Sequence, residues 1–345
     1  MKLIRFHFTA PVHFSAARAE YDRSESTLHS DSLYAAIQQA WSILGKTDWI
    51  VKEPDFTLSS LFPFYRHDES SAAVYFFPRP MAGVDTKPDL AKLTNNIRFL
   101  DQFTFEKLLH EGELIVSDKK NLLGEFYHND TDTSPKKQFL QRHVYTRNRV
   151  PRFQEMATSG DTLVYYHEKV FFQDGSGLFC LFDGSDAAFQ RVKAALLLLQ
   201  DEGLGTDRHS GNGQFELEIE EQFSLDLPAK AKYCLNLSLF CPSDAPTVAA
   251  MLPENDALVA FNLFKRGGWI TNEPFLTFRK NSVYMFQEGS VFVRPSTEAE
   301  TGLFIKGHSH DLRPQSTDLP QRESVLHPIY RSGKSIFLPF NAGKS

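Results

Sequence analysis

The sequence predicts an α+β fold built from two units. Three observations carry this. Elements follow one another as β-α-β-β-α-β over residues 1–228, a glycine-rich segment at 203–213 joins the second helix to the last strand, and a strand-rich half follows Pro228. That order is the ferredoxin-like (RRM-like) arrangement. Residues 229–345 read as a degenerate copy, so the expectation is two ferredoxin-like domains in tandem.

Each element has its own warrant. Ile4, Phe6 and Phe8 alternate with Arg5, His7 and Thr9, the pattern of a half-buried strand. After a polar loop, Ser30 or Asp31 is placed to cap a helix. Leu33, Ala36, Ile37, Ala40, Trp41 and Leu44 form its apolar stripe, and Gly45 suits its C-terminal stop. Residues 58–64 and 72–77 read as strands stopped by Pro63 and Pro78. From 79 to about 165 the periodicity weakens. That stretch is too long for a connection and too poor in apolar residues for a core of its own, so it reads as an insertion projecting from the first domain. Residues 169–182 return to strand. Phe189, Val192, Ala195, Leu196 and Leu199 stripe a second helix that ends at Gly203. Phe215, Leu217 and Ile219 alternate with glutamates as an edge-like strand. In the second half, residues 233–240 and 336–340 read as strands and 247–252 as a short helix. Residues 282–294 read as a hairpin turning at Glu288-Gly289.

Composition excludes several classes. Of 345 residues, 41% are hydrophobic and 23% charged, which is globular rather than disordered. The net charge of −6 argues against a uniformly basic coat but leaves room for a local basic groove. Cys180, Cys234 and Cys241 fit no metal spacing and cannot all pair, as in a reducing cytoplasm. The longest strongly apolar run, 194–199, is far too short to span a membrane. The first ten residues alternate instead of forming a signal peptide's apolar core.

Residues 203–213, GLGTDRHSGNG, are the most informative segment. Gly203, Gly205, Gly211 and Gly213 permit positive φ and close approach of a ligand. Arg208, His209 and Ser210 add donors suited to phosphate oxygens. The dinucleotide fingerprint fails because the helix precedes the loop, and the P-loop pattern fails in spacing and lacks its Lys. This weakens a nucleotide-binding module. A helix stop followed by a flexible turn is the plainer reading of the same residues. A second signal is the basic run at 136–152, with six Lys/Arg in seventeen residues, no acid, and Phe139 and Tyr145 interleaved. Phosphate neutralisation with stacking fits single-stranded RNA, with a solvated charged face as the alternative. Arg147 and Arg149 would share one strand face, and Pro151 keeps the arm around Arg152 extended. His29 and Ser30 stand at a helix start, where free N–H groups attract anions. His308-Ser309-His310-Asp311 has no tetrahedral ligand spacing and reads as a polar loop, so no metal, cofactor or catalytic cluster is expected.

The glycine segment resembles the loop of the RAMP superfamily of CRISPR proteins. The run 29–36, HSDSLYAA, is similar to that superfamily's first-helix opening, and 60–64 with 75–80, SLFPF and YFFPRP, to its paired strand motif. KRGGW at 265–269, EGSVF at 288–292 and HPIYR at 327–331 resemble one branch, the fourth subunit of type III-A (Csm) effector complexes. The loop departs from the pattern at Asp207 and Asn212. The resemblance implies a non-catalytic subunit that binds the 5′ tag of the crRNA, caps the backbone filament and docks the large polymerase-nuclease subunit, with target RNA nearby. It places the RNA against the glycine loop, His13, His29 and Ser30. It makes the insertion thumb-like, with Arg147, Arg149 and Arg152 as contacts. The enzymatic alternative within the superfamily is a metal-independent endoribonuclease that processes precursor crRNA, with His13 or His29 as general base.

Overall fold

The structure is a computed structural model. It describes residues 1–15, 21–68, 71–82, 94–112, 114, 121–129, 139–149, 163–270, 278–296, 298, 301–314 and 328–341. The first half holds β1 (Lys2–Phe8), α1 (Ser30–Ile43), β2 (Phe56–Leu58), β3 (Phe62–Tyr65), β4 (Val74–Pro78), β5 (Phe99–Asp101), α2 (Gln102–Glu111), β6 (Leu122–Leu123), β7 (Phe126–Tyr127), β8 (Leu140–Arg149), β9 (Leu163–Phe172), β10 (Ser176–Gly184), α3 (Asp186–Glu202) and β11 (Phe215–Glu220). The second half holds β12 (Tyr233–Asn236), α4 (Ala245–Met251), β13 (Leu263–Arg266), β14 (Val283–Phe286), β15 (Val291–Val293), β16 (Phe304–Lys306), β17 (His310–Asp311), β18 (Tyr330–Arg331) and β19 (Ser335–Phe340). The fold is mixed α+β.

One long sheet runs β11-β1-β10-β3-β4-β5-β7-β6, with β2 also against β10. Period-two alternation sorts its side chains onto two faces. On one face Ile4, Phe6, Phe8, Leu178, Cys180 and Phe182 meet α1 through Leu33, Ile37 and Trp41, and α3 through Phe189, Val192 and Leu196. On the other face Leu3, Phe62, Phe64, Phe179 and Leu181 pack against Leu235, Leu237, Ile336 and Leu338 of the second half. Thus β1 is covered on both faces rather than half-buried. Its Arg5 is tolerated inside because Nη1 donates to Glu218 Oε1 at 2.7 Å and Nε to the Tyr75 hydroxyl at 2.7 Å.

Several expectations are corrected. Part of the stretch read as a projecting insertion extends the main sheet through β5, β7 and β6, while β8 within it stands apart from that sheet. Phe99, Leu100, Phe105, Leu108, Leu109 and Phe126 join the large core. Strands of two or three residues are too short to show a period. Phe139, read as a stacking aromatic, is buried, with its ring parallel to Phe76 at 5.6 Å. Pro63 stops nothing, since it lies within β3 opposite Leu178. The strand breaks earlier, where the Ser59 hydroxyl accepts the Leu181 N–H and the Ser60 N–H donates to Leu237 O. The segment 282–294 is no hairpin. β14 pairs with β13 while β15 pairs with β12, so the chain changes sheets at Glu288-Gly289. The second half builds a sheet in the order β15-β12-β19-β16.

Strands β8 and β9 form a separate two-stranded ribbon, in register from Leu140↔Phe172 to Arg149↔Leu163. Among the described residues no helix is long and apolar enough to cross a membrane.

Candidate nucleic-acid interface

The glycine loop is tied down on both sides. Helix α3 stops at Gly203, and Leu204 N–H donates to Gly213 O at 2.9 Å, closing the loop base. Thr206 N–H donates to His13 O at 3.0 Å and Gly213 N–H to Pro11 O at 2.9 Å, fixing the lobe to the segment after β1. Gly205 has φ +97°, and a Cβ there would stand 2.7 Å from His13 O. Its lack of a side chain therefore serves the loop's own packing. Gly211 also has positive φ, but a Cβ there would point into open space. His209, Ser210 and Gly211 are exposed at the tip, and Arg208 Nη2 donates to Gln39 Oε1 of α1 at 3.3 Å.

The ribbon has two unlike faces. Directly opposed residues in an antiparallel pair share a face, so His143, Tyr145 and Arg147 stand with Lys169, His167 and Tyr165, and the side chain of Arg149 lies outside the described residues. The other face carries Val144, Thr146, Tyr166 and Val164. The basic face meets the glycine loop. Arg147 Nη1 donates to Asp207, and Lys169 Nζ donates to Asn212 Oδ1 at 2.8 Å. Asn212 Nδ2 donates in turn to Asp207 O at 3.1 Å and to Ser210 Oγ at 2.9 Å. Asp207 and Asn212, the two departures in the loop motif, are therefore its anchors to the ribbon. Their acid and amide chemistry opposite a basic run was the available signal. Arg152 lies outside the described residues.

His13 and His167 form a buried pair, with ring centroids 4.5 Å apart. His13 Nδ1 lies 2.7 Å from Glu168 O and so carries the proton, which leaves Nε2 as an acceptor without a partner. Burial, with His13 and Arg147 alongside, pushes His167 down to about 4. Both rings are thus held together without charge repulsion.

His29, Ser30 and Asp31 go elsewhere. His29 is the N-cap of α1 but makes no side-chain cap bond, so neither Ser30 nor Asp31 caps the helix. The Ser30 hydroxyl instead accepts the Leu239 N–H at 3.0 Å, and its N–H donates to Ser60 Oγ at 2.8 Å. His29 Nδ1 lies 2.9 Å from the buried Glu288 carboxylate, which also accepts from Ser60. Burial opposes ionisation of Glu288, but His29 and Ser60 outweigh it and hold the carboxyl below its usual value. This trio seals the seam between the two halves. Around His308 the chemistry is also internal, with Nδ1 2.8 Å from Glu53 Oε1, while His310 Nε2 lies 3.1 Å from Cys241 Sγ. Among the described residues no three His, Cys, Asp or Glu side chains are arranged to hold a metal ion.

Between the glycine loop, the start of α1 and the second half lies a cavity of about 260 Å³. Its wall includes His13, Ser32, Gly205, Thr206, Arg208, Lys280 and Arg331, and no Asp or Glu among the described residues.

Residues 229–340 match the CRISPR Csm4 C-terminal domain family. The chain is Csm4-like. Over 262 residues it is 26% identical to the CRISPR system Cms protein Csm4 of Thermococcus onnurineus (strain NA1), covering 72% of this chain and 78% of that protein. The Csm4-like chain also shares its fold with solved structures. A Csm3-Csm4 subcomplex of the type III-A interference complex superposes with TM-score 0.59 at 20% identity, covering 99% of this chain and 100% of that one. A Csm1-Csm4 cassette in complex with cA4 gives 0.56 at 17% identity, covering 100% and 99%.

Proposed function

We propose that this chain is the non-catalytic crRNA-binding subunit of a cytoplasmic type III-A (Csm) interference complex. It holds the 5′ repeat-derived tag, caps the backbone filament and docks the large polymerase-nuclease subunit. The observation that carries this is the cavity beside the glycine loop, whose described lining holds basic side chains and no acid. In a chain of net charge −6, its Arg208, Lys280 and Arg331 side chains, with no carboxylate among the described lining residues, favour an anionic ligand. The basic ribbon face meets the same glycine loop, with Tyr145 exposed for stacking and Lys169 5.7 Å from its ring centroid. The Csm3-Csm4 and Csm1-Csm4 structures support the partners, since those Csm4 proteins assemble with Csm3 and Csm1. In this reading the first sheet's β11-β1-β10-β3 core, with α1 and α3 on one face, is a ferredoxin-like unit, and the sheet of the second half with α4 is its degenerate copy.

The test is purification of the native complex with sequencing of the RNA it retains. Repeat-derived 5′ sequence is the expected result, and complexes with normal subunits but no such RNA would refute the reading. The endoribonuclease reading has one observation in its favour, the unpartnered Nε2 of His13. Against it, His13 is 1% exposed, out of reach of a 2′-hydroxyl that must approach within hydrogen-bond distance. Incubating purified protein with repeat RNA in EDTA decides this. No specific cleavage is expected, and cleavage lost in His13→Ala would reverse the assignment.

A further inference from the structure

The cavity's three cations are not equivalent. Arg208 donates to Gln39, and Arg331 donates to Asp31 and, at 3.1 Å, to Gly267 O. Lys280 is held in place only by its backbone, whose N–H donates to Gly268 O at 2.9 Å. Its half-buried ammonium has no ion-pair partner among the described residues. A desolvated cation without a counter-charge is costly. On the opposite wall the Thr206 hydroxyl also has no partner among the described residues. An unpaired cation and a free hydroxyl around a space with no acid among its described lining residues ask for a ligand with both an anionic and a hydroxyl group. An RNA phosphodiester with its ribose supplies both.

We infer that Lys280 is the second half's contribution to the RNA site, and that one phosphodiester sits in the cavity between Lys280 and Arg208 with its ribose toward Thr206. This rests on the RNA-binding reading above and adds that neither half holds the strand alone. The charged groups that face Lys280 are Arg331, which like burial disfavours its ammonium, and Asp31, which favours it, and the balance pushes Lys280 down to about 8. A phosphate favours the charged form, so RNA binding near pH 8 draws a proton onto the protein.

The experiment uses the full chain and a fluorescently labelled single-stranded repeat RNA, titrated at several salt concentrations. Lys280→Met is expected to weaken binding and to lower the slope of log K against log salt by about 0.7, one phosphate contact on a single strand. Lys280→Arg is expected to restore the slope. Calorimetry at pH 8 in two buffers of different ionisation heat should show proton uptake for the native chain and none for Lys280→Met. If Lys280→Met keeps the native slope while Arg208→Ala/His209→Ala loses binding, the Lys280 assignment falls and the RNA reading stands. If the double variant also binds like the native chain, the RNA site at this loop falls as well. Proton uptake driven by inorganic phosphate but not by RNA would equally overturn the assignment.

Discussion

Arg266 clasps Asp31 across the seam between the halves with two parallel hydrogen bonds, Nε to Oδ2 at 2.7 Å and Nη2 to Oδ1 at 3.0 Å. Arg331 donates to the same carboxylate, which is wholly buried. Burial opposes ionisation of Asp31, but the two guanidiniums outweigh it and hold the carboxyl well below the usual range. The three residues come from segments 235 and 300 positions apart, so this one anion fixes where the second half sits on the first.

Asp31→Asn should therefore destabilise the chain by about 3–5 kcal/mol, because it leaves two buried guanidiniums without their counter-charge. The sign of the pH effect follows from the depressed carboxyl. Its stabilisation is complete above the unfolded value near 4 and is lost as pH falls below it. Urea unfolding from pH 7 to pH 3 should show a steeper acid loss for the native chain than for Asp31→Asn. Parallel curves would mean that Asp31 carries little of the acid sensitivity.

Arg147 is one of the groups that depress His167, whereas Asp207 favours its protonation. Arg147→Met removes the cation and leaves Asp207, so the His167 titration should move up from about 4 toward the ordinary value near 6.5. The imidazole proton resonances followed against pH read this directly. A His167 titration that stays put would sever the link between ribbon and loop.

RNA affinity should respond to the same ion pair with opposite signs. Arg147→Ala/Arg149→Ala should weaken binding with little sequence dependence and lower the salt slope by about one to one and a half. Asp207→Asn, which frees Arg147 from its carboxylate, should tighten binding. Equal affinities for all three chains would mark the ribbon as a solvated face.

The loop glycines should sort by what surrounds them. A Cβ at Gly213 would stand 2.0 Å from Leu204 O, whereas one at Gly211 meets nothing within 4 Å. Gly213→Ala should lower Tm by several degrees, while Gly211→Ala bears only the backbone strain, about 1 kcal/mol. By the same geometry Gly205→Val disturbs the segment around His13, so Gly211→Ala is the cleaner probe of RNA contact. Similar Tm values for the two alanine variants would count against this packing.

Phe139→Ala should behave as a core deletion, costing about 3–5 kcal/mol in unfolding free energy. Its ring lies between Tyr65, Phe76 and Phe126. A stable variant with weakened RNA binding would return Phe139 to the RNA surface.

The legible parts were those with long periods. Strand β1 and helices α1 and α3 carried their stripes openly, and the glycine loop stood where its spacing put it, between α3 and β11. Strands β5, β6 and β7 were hidden by their length, and Phe139 by lying beside a basic run. The partners of Asp31 could not be read locally, since nothing near it in sequence is basic. Yet the segments 29–36, 265–269 and 327–331, noticed separately as motifs, contain Asp31, Arg266 and Arg331. One acid and two arginines in three separated motifs, in a chain that spares few charges for its interior, were the trace of that contact.

The large apolar cluster ignores the boundary at Pro228. Phe62, Phe64 and Phe179 from before it share one interior with Leu235, Val291, Ile336 and Leu338 from after it. A protein cut there would expose apolar surface on both pieces. The family match covers residues 229–340, the part that follows this boundary. Substitutions among these second-half residues should be felt on β3 and β10, because both halves line one piece of packing.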